Sequence, residues 1–324
     1  MDTMVRAAAL RKSASAGVAA FPGMLVLRML MLRMLMLRML MLRMLVLSML
    51  MFGMLTLCVP LLGASDTAYA SSSSVDWTTG LIHASVELNL AGAGLRLPSD
   101  RAEAERLIEA AVPELVKDTV LGIGLDSYRT VADSLDDGSL DPTVLRAFLE
   151  AGSRVMLAMD RDMENMVARF EWRLPDLANL YVRHSAPMRL AVPTRSMPTR
   201  AYSGIVLYAQ GSYPVRGEHG EASLRPCLFP RIYDEAMTPI LDRNLADPAA
   251  LRNWGVVAYA TGLDDPVVES RAGGNPLRIM VAGVFGSRRT DAMISVDDSQ
   301  RILGLPENRE LIRAGKVVFI IDLR

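Results

Sequence analysis

The sequence predicts a mixed α/β (α+β) protein: two small domains, with mostly antiparallel sheets packed on helices, after an N-terminal signal or transmembrane segment. Three observations support this. The chain has 324 residues, which suits two domains better than one. Its methionines are concentrated in the first 70 positions, which hold almost no acidic residues. The remainder alternates between segments with a strand-like period of two and segments that carry helix-start signals.

The first 70 residues form a basic, methionine-rich leader, with 13 of the 22 methionines, seven of the 35 basic residues and two of the 36 acidic ones. From Leu27 to Arg43 the unit Leu-Arg-Met-Leu-Met repeats, and its arginines point all round a helix. Each arginine at a bilayer centre would cost about 2.5–3.5 kcal/mol, so the repeat predicts an extended basic region, not a span. A start at Met34 or Met39 would leave a shorter leader.

Export is the expectation that the leader supports most directly. Met44–Leu62 is uncharged and apolar, as in a signal h-region or a short span, and Ala68-Tyr69-Ala70 is an A-x-A signal for cleavage before Ser71. The basic residues before the apolar run place the body outside the cytoplasm. Cleavage, a retained inner-membrane anchor and a lipid on Cys58 stay open, although Leu57 fits a lipobox poorly. We expect a periplasmic or envelope-associated protein.

We divide the chain into four segments: a leader with the Leu-Arg-Met repeat and the h-region (1–70), an α/β domain (71–186), a proline-containing linker (187–200) and a strand-rich domain (201–324). From residue 71 onward 28 basic and 34 acidic side chains give a net charge of −6. A mildly acidic body lacks the basic surface that binds the phosphates of nucleic acid, so we expect no nucleic-acid partner.

In the first domain we expect Ser71–Ser74 to be a polar tether and Gly80–Leu90, which alternates, to be a half-buried strand. A helix should begin at Pro98-Ser99-Asp100 with a serine cap and be kinked or shortened by Pro113. Its predicted inward stripe is Ala104, Leu107, Ala111 and Leu115.

A second helix should run from Asp141-Pro142 to about Ala151. A hairpin should follow, with a strand at Val155–Met159 and a polar turn near Asp160–Asn165. The apolar face of its second strand is Met166, Ala168, Phe170, Trp172 and Leu174. The two aromatic side chains on this face indicate either core or interface.

The sequence predicts that the second domain is a series of strands. It follows a linker that contains Pro193 and Pro198. The expected strands are Ile205–Ala209, Leu224–Tyr233, Val256–Ala260, Leu277–Val284 and Lys316–Asp322. The last is a continuous apolar run, which is typical of a central strand. Asp298 is the expected N-cap of a short helix at Ser299–Leu303.

Several segments of the first domain together resemble a known pattern: Asp76–Ile82, an alanine-rich helix, Leu121–Ser127 and a hairpin that ends at Phe170–Pro175. Residues 76–182 resemble the N-terminal domain of small bacterial envelope lipoproteins and of flagellar outer-membrane-ring or basal-disc proteins. The resemblance implies a curved antiparallel sheet against a helix, used for assembly and not for catalysis. The weak lipobox departs from the family and puts lipid anchoring in doubt.

The later part is similar to a domain of uncharacterised role that follows in some of these proteins. The segments that carry this similarity are Tyr202–Gly204, Leu224–Asp234, Trp254–Tyr259, Arg271–Pro276 and Lys316–Asp322. An insertion at Gly211–Glu221 departs from that pattern.

Candidate chemistry is sparse, and we expect no catalytic, cofactor-binding or metal-binding residue. His83, His184 and His219 lie in three different kinds of segment, without the spacing of a zinc site. Cys227 lies in an apolar setting that favours a buried thiol over a reactive one. The paired glycines lack a dinucleotide fingerprint, and the acidic pairs are adjacent where a cation site would alternate its ligands.

These features predict a non-enzymatic exported protein, a structural or assembly factor of the periplasm or outer membrane that is linked to the flagellar apparatus. Its expected partners are envelope or flagellar proteins or further copies of itself, with membrane contact through an uncleaved leader. The alternative is a periplasmic binding module for a small ligand or a peptidoglycan fragment. A nucleophile with a base, or a metal cluster, would have indicated an enzyme.

Overall fold

The computed structural model describes residues 33–44, 68–193 and 197–323. The chain divides into two compact units, Met1–Ser65 and Asp66–Arg324. In the first unit, residues 33–44 form helix α1, whose side chains are exposed. The predicted apolar run Met44–Leu62, apart from Met44, lies outside the described residues, and so does Cys58. Among the helices of the described ranges, none is both long and apolar enough to cross a membrane.

The second unit begins with an antiparallel sheet of four strands in the order β1-β2-β4-β3. The strands are β1 (Tyr69–Asp76), β2 (Leu81–Asn89), β3 (Ser153–Met159) and β4 (Asn165–Arg173). The predicted alternation is confirmed, and it places one face of each inner strand in the core. The buried residues are Ile82, Ala84, Val86 and Leu88 on β2 and Met166, Ala168, Phe170 and Trp172 on β4.

The prediction of a polar tether at Ser71–Ser74 is wrong, because this segment forms part of strand β1. These serines lie within β1, which pairs along its whole length with β2, beginning with Tyr69 opposite Leu88. The hydroxyl group of Tyr69 also donates to the carbonyl oxygen of Leu107 at 3.3 Å. The prediction failed because backbone hydrogen bonds define this edge strand and its side chains carry no apolar period. The predicted cleavage point before Ser71 therefore lies inside a paired strand.

Four helices accompany this sheet: α2 (Arg101–Leu121), α3 (Val131–Asp136), α4 (Pro142–Glu150) and α5 (Leu174–Asn179). Helix α4 is confirmed, with Asp141 as its N-cap: the Asp141 carboxylate accepts from the amide of Thr143 at 2.7 Å. Helix α2 differs from its prediction in its inward stripe and in its start. The buried stripe is Ala104, Ile108, Val112, Val116 and Val120.

The predicted stripe is confirmed at Ala104 but is wrong at Leu107, Ala111 and Leu115, which are half-buried. From Ala104 on, every fourth residue is buried, and these later positions are β-branched. The serine cap is also wrong, since the hydroxyl of Ser99 donates to the carbonyl of Arg96 at 2.9 Å and caps nothing. Pro113 does not shorten the helix, because the buried stripe continues on both sides of it and holds both segments against the sheet.

The second half of this unit contains two larger sheets and a two-stranded ladder, β6 with β7. One sheet has the order β10-β14-β5-β11 and is parallel throughout; the other has the order β12-β13-β8-β9. The strands are β5 (Ile205–Tyr208), β6 (Tyr213–Pro214), β7 (Glu221–Ala222), β8 (Ile232–Asp234), β9 (Pro239–Leu241), β10 (Ala258–Ala260), β11 (Leu277–Met280), β12 (Gly283–Phe285), β13 (Asp291–Ile294) and β14 (Val317–Ile320).

The fold class is thus confirmed as mixed α/β with mostly antiparallel strand pairs, and β14 is central in its sheet as predicted. The parallel sheet around β14 is the departure within that class. Its crossovers and flanks use four helices: α6 (Pro248–Trp254), α7 (Pro266–Ala272), α8 (Val296–Leu303) and α9 (Pro306–Arg313). Helix α8 is capped by Ser295, whose hydroxyl accepts from the amide of Asp298, so the predicted Asp298 cap is wrong.

Four predicted strands are shorter or divided. Val256–Ala260 is regular only from Ala258, and Lys316–Asp322 only at Val317–Ile320. Leu224–Tyr233 is regular only from Ile232, because the amides of Leu228 and Phe229 donate to carbonyl groups of the first half instead of to a sheet neighbour. Leu277–Val284 divides into β11 and β12 because the chain passes from one sheet to the other between them. The prediction that this apolar run is extended is confirmed. The sequence did not predict that its two ends pair with strands of different sheets.

Residues 68–186, here called the first half, and residues 201–323, the second half, share one hydrophobic core. The amides of Leu228 and Phe229 donate to the carbonyl oxygens of Gly124 and Leu125 at 3.0 and 2.8 Å. The linker between the halves has no regular secondary structure in its described part. The division into two domains at residues 187–200 stays a prediction, and the two halves pack as one compact unit.

Trp172 belongs to the core, which decides between the two roles left open for it. It is 3% exposed, its ring stacks on Phe170 with centroids 6.3 Å apart, and its indole N–H donates to the carbonyl of Leu149 at 3.1 Å. Gly152 lies against the same ring: a Cβ atom there would come within 2.3 Å of it. The tryptophan ring therefore fills the space that a side chain at 152 would need.

We predict that Trp172→Ala lowers the free energy of unfolding by about 3–5 kcal/mol, through lost packing and the cavity left behind. Gly152→Ala should cost about 1–3 kcal/mol in the wild type by overpacking, and close to nothing in the Trp172→Ala background. Urea unfolding of the double-mutant cycle measures this, with Gly274→Ala, where a Cβ meets nothing within 4 Å, as the control. Additive effects of the two substitutions would contradict the contact.

A second prediction concerns the linker, where Met188 and Val192 are 61% and 70% exposed. Limited proteolysis should cut first within residues 187–200, because exposed irregular backbone fits a protease best. The two fragments should then coelute in gel filtration and separate only in denaturant, since the core is continuous across the halves. A first cut elsewhere would move the boundary, and fragments that separate without denaturant would contradict the shared core.

Candidate functional site

The three histidines lie in separate parts of the fold, each with its own neighbours. The Nδ1 atom of His83 lies 3.2 Å from a carboxylate oxygen of Glu171 on the neighbouring strand, and the Nε2 atom of His184 lies 3.0 Å from the carbonyl oxygen of Ala246. His219 lies in the turn that joins β6 and β7. Within the described ranges, no group of three or more histidine, cysteine or acidic residues is placed to hold a metal ion.

Cys227 is a buried, free thiol, which confirms the interpretation from sequence. Burial raises the pKa of its thiol to about 12, so the group stays protonated and is a poor nucleophile at neutral pH. The hydroxyl of Tyr259 accepts from the amide of Cys227 at 3.0 Å and donates to its carbonyl at 2.9 Å. Tyr259 thereby fixes the backbone around the cysteine.

A polar cluster that includes the buried residues Ser127, Thr290 and Asp291 joins the two halves near this point. The hydroxyl groups of Ser127 and Thr290 lie 2.9 Å apart, and the hydroxyl of Ser287 donates to the carbonyl of Ser127 at 2.7 Å. Asp291, beside Thr290, is fully buried; one of its carboxylate oxygens accepts from the amide of Arg231 at 3.1 Å, and the other has no hydrogen-bond partner. Burial raises the pKa of Asp291 to about 6 despite these donors.

A cavity of about 290 Å³ lies between the two halves. The first half contributes the turn between β1 and β2, from Trp77 to Leu81, and the junction of β4 with α5 at Arg173–Pro175. The second half contributes Cys227 and Leu228, the segment Asn253–Tyr259 between α6 and β10, and one face of α7. Its volume is close to the lower end of the usual range for ligand sites, about 300–1,000 Å³.

Aromatic side chains form a large part of the cavity wall. Trp77 and Trp254 both line it, which accounts for two of the three tryptophans in the chain. Trp77 meets Tyr259 edge to face with ring centroids 5.6 Å apart, and Tyr259 meets Phe319 of the central strand in the same way at 5.9 Å. This chain of rings connects the turn of the first sheet to the centre of the parallel sheet.

Arg271, near the end of α7, brings a buried positive charge to the cavity. It is 4% exposed, and its guanidinium group donates to the carbonyl oxygens of Gly315, Trp254 and Gly255 at 2.6, 2.7 and 2.8 Å. Its Cζ atom lies 4.2 Å from the centroid of the Trp254 ring. Gly255 and Gly315 have φ angles of +77° and +62°, a region that glycine enters without strain.

Burial lowers the pKa of Arg271 to about 9, which still leaves the group charged at neutral pH. Among the described residues no carboxylate forms an ion pair with it. Three carbonyl dipoles satisfy hydrogen bonds but supply only partial negative charge. The cavity therefore has a positive potential at this wall.

Arg173 is the second cation of the cavity and comes from the first half. Its guanidinium donates to the carbonyl oxygen of Asn253 at 2.8 Å and lies 3.9 Å from a carboxylate oxygen of Asp176. The side chain is about half exposed, so it belongs to the mouth and not to the interior. The lining contains two arginines and no acidic residue, and its other hydroxyl and amide side chains are Thr78, Thr79, Asn253, Tyr259 and Ser270.

No residue of this cavity was predicted as a site from the sequence. The segments Trp254–Tyr259 and Arg271–Pro276 were noted only for their resemblance to a domain of uncharacterised role. The signal that was present is an arginine in the last turn of a short helix with no acidic residue one turn before or after it: Val267 and Asn275 stand at those positions. That pattern indicates a buried cation but does not say what surrounds it.

Two family models match the described body. A model for the N-terminal domain of Treponema pallidum Tp0624 matches residues 68–180, and a model for the second domain of the same protein matches residues 204–323. The chain is similar to Tp0624 in both domains. No curated protein matches the chain.

The two Tp0624 matches flank the predicted linker, and the cavity lies between them. Trp77, Arg173 and the rest of the first wall fall in the N-terminal-domain match, and Trp254, Arg271 and the rest of the second wall fall in the second-domain match. The Tp0624 matches support the expected two-domain resemblance. Their descriptions name no lipoprotein and no flagellar role.

The buried carboxylate of Asp291 gives a prediction with a definite sign. Its folded-state pKa of about 6 exceeds the ordinary value of 3.8, so folding takes up a proton between these values and the ionised group opposes folding above them. Asp291→Asn should therefore raise the free energy of unfolding at pH 7.5 by on the order of 1–3 kcal/mol. The gain should shrink as the pH falls through 6 and vanish near pH 4.

Chemical unfolding of wild type and variant at pH 7.5 and 4.5 measures this difference. Asp162→Asn, in the exposed turn between β3 and β4, is the matched control and should change little at either pH. A loss of stability in Asp291→Asn at pH 7.5 would mean that contacts to the charged carboxylate outweigh the effect of its burial.

Proposed function

We propose that this protein is a non-enzymatic binding module of the cell envelope that holds a small ligand between its two halves. The cavity of about 290 Å³ is the observation that carries the proposal. Its walls come from both matched domains and combine two tryptophans with a few polar groups, the usual composition of a ligand site. A ligand there would contact both halves and stabilise their arrangement.

The absence of an enzymatic role is part of the proposal. The buried thiol of Cys227, with its raised pKa, and the separated histidines supply no nucleophile with a base in reach. The place of action is proposed from the leader: basic residues before an apolar run direct the body to the periplasm or envelope, with the inner membrane as anchor where the leader is retained.

Assembly with envelope or flagellar proteins is the second candidate, and the free edge of the first sheet favours it. Strand β3 pairs only with β4 among the described strands, and Val155 on it and Met163 in the adjoining turn are 54% and 68% exposed. An open edge of this kind can pair with another chain. Light scattering separates the candidates, because an assembly factor forms defined oligomers and a ligand module stays monomeric.

The cavity is tested by filling it. Val267 lines the cavity at the start of α7, and Val267→Phe should place a ring in the space that a ligand needs. A set of neutral and charged fragments, screened by intrinsic tryptophan fluorescence and by NMR, should shift the cavity residues of the wild type. Binding should fall at least about tenfold in Val267→Phe, the scale of one displaced apolar contact of about 1.4 kcal/mol.

Val144→Phe, on the exposed face of α4, is the matched control and should bind as the wild type does. If no fragment shifts a cavity residue, or if Val267→Phe binds the fragments unchanged while it is folded, the proposed binding function is wrong.

A further inference from the structure

We infer that the cavity takes a small organic carboxylate, whose anionic group binds the guanidinium of Arg271 and whose apolar body lies against Trp77 and Trp254. This inference rests on the proposed function and names the class of ligand. It follows from the charge of the cavity, the free donors of one side chain and the nature of the walls.

The charge of the cavity favours an anion. The lining has two charged residues, and both are arginines, Arg173 and Arg271. No aspartate or glutamate lines the cavity. Arg173 has a carboxylate of Asp176 at 3.9 Å, whereas the contacts of Arg271 are three uncharged carbonyl groups and one aromatic ring. One positive charge in the interior therefore lacks an acidic neighbour, which matches a ligand with one negative charge.

The donors of Arg271 suit a carboxylate group. A guanidinium carries five N–H groups, and the three carbonyl bonds use the one on Nε and one on each Nη atom. One N–H on each Nη atom is left, and two such donors can bind the two oxygens of one carboxylate. The carbonyl groups of Trp254, Gly255 and Gly315 hold the guanidinium in place before a ligand arrives, which lowers the entropy lost on binding.

The walls select the rest of the ligand. Most of the lining is apolar, and two tryptophans offer flat surfaces that pack on aliphatic or planar groups. A bare inorganic anion would leave these surfaces in contact with water. Amide or hydroxyl groups of a ligand can bond to the side chains of Thr79, Asn253 or Ser270, which also line the cavity. An acylated amino acid or the free carboxyl end of a short peptide has all three parts.

The test compares two probes that differ only at the terminal group, the carboxylate of N-acetyl-L-leucine and the neutral amide of N-acetyl-L-leucinamide. Both are titrated against the full chain by calorimetry and tryptophan fluorescence. The acid should bind at least about tenfold more tightly than the amide, because a hydrogen bond to a charged partner is worth about 1.5–3 kcal/mol. Val267→Phe should weaken the binding of both probes.

Arg271→Lys keeps the charge and removes the paired donors, so it should weaken binding of the acid about tenfold and binding of the amide by a clearly smaller factor. Arg173→Gln, at the mouth, should weaken the acid by a smaller factor. Arg278→Gln, exposed on β11, removes the same charge far from the cavity lining and should bind as the wild type does. Where Arg271→Lys does not fold, the acid–amide comparison and Arg173→Gln still decide the question.

The outcomes separate the inference from the proposed function. Equal binding of acid and amide, with both lost in Val267→Phe, overturns the carboxylate and leaves the cavity as a binding site. Acid-selective binding that a folded Arg271→Lys leaves unchanged also overturns the inference, because the anion is then recognised elsewhere. If neither these probes nor any fragment shifts an NMR signal of a cavity residue, the proposed function is wrong, and so is the inference that rests on it.

Discussion

The backbone contact between residues 124–127 and the second half is the interaction on which the rest of the second unit depends. Carbonyl groups of Gly124, Leu125 and Ser127 accept amide bonds from residues of the second half. Gly286 comes so close to Ser127 that a Cβ atom at position 286 would lie 2.3 Å from the serine side chain. Leu125, Ser127, Leu228 and Phe229 are buried, so separation of the halves would break these bonds and expose the apolar core around them to water. They turn two family domains into one compact body, and they bring the cavity walls together.

Much of the first half could be predicted because its signals are local. The alternation in β2 and β4 and the Asp141-Pro142 cap each depend on a few neighbouring residues, and each was read correctly. The same Asp-Pro signal opens α6 at Asp247 and α7 at Asp265, and both helices could have been found by it. Strand β1 could not be found by periodicity, because a serine-rich edge strand is specified by the neighbour that it pairs with.

The second half was predicted in outline only, since its segments change partners over short distances. The run from Leu277 was correctly taken as extended, yet its two ends lie in different sheets. The cavity could be predicted from the sequence even less than these strands. The role of Arg271 depends on carbonyl groups from two distant segments, Trp254-Gly255 and Gly315, and on the lack of a carboxylate near it. Contacts between residues so far apart in the chain cannot be inferred from the sequence alone.

The position of β14 has a consequence for the order in which the body can be completed during synthesis. This strand lies between β10 and β5, and β10 pairs with no other strand in the described part of the chain. Among the described strands, β14 is also the last to leave the ribosome. The parallel sheet therefore cannot close until nearly the whole body has been made, whereas the antiparallel sheet has all its strands once residue 173 has emerged. Until then β5 keeps an open edge and its apolar face lacks a neighbour, a state in which nascent chains are prone to aggregate.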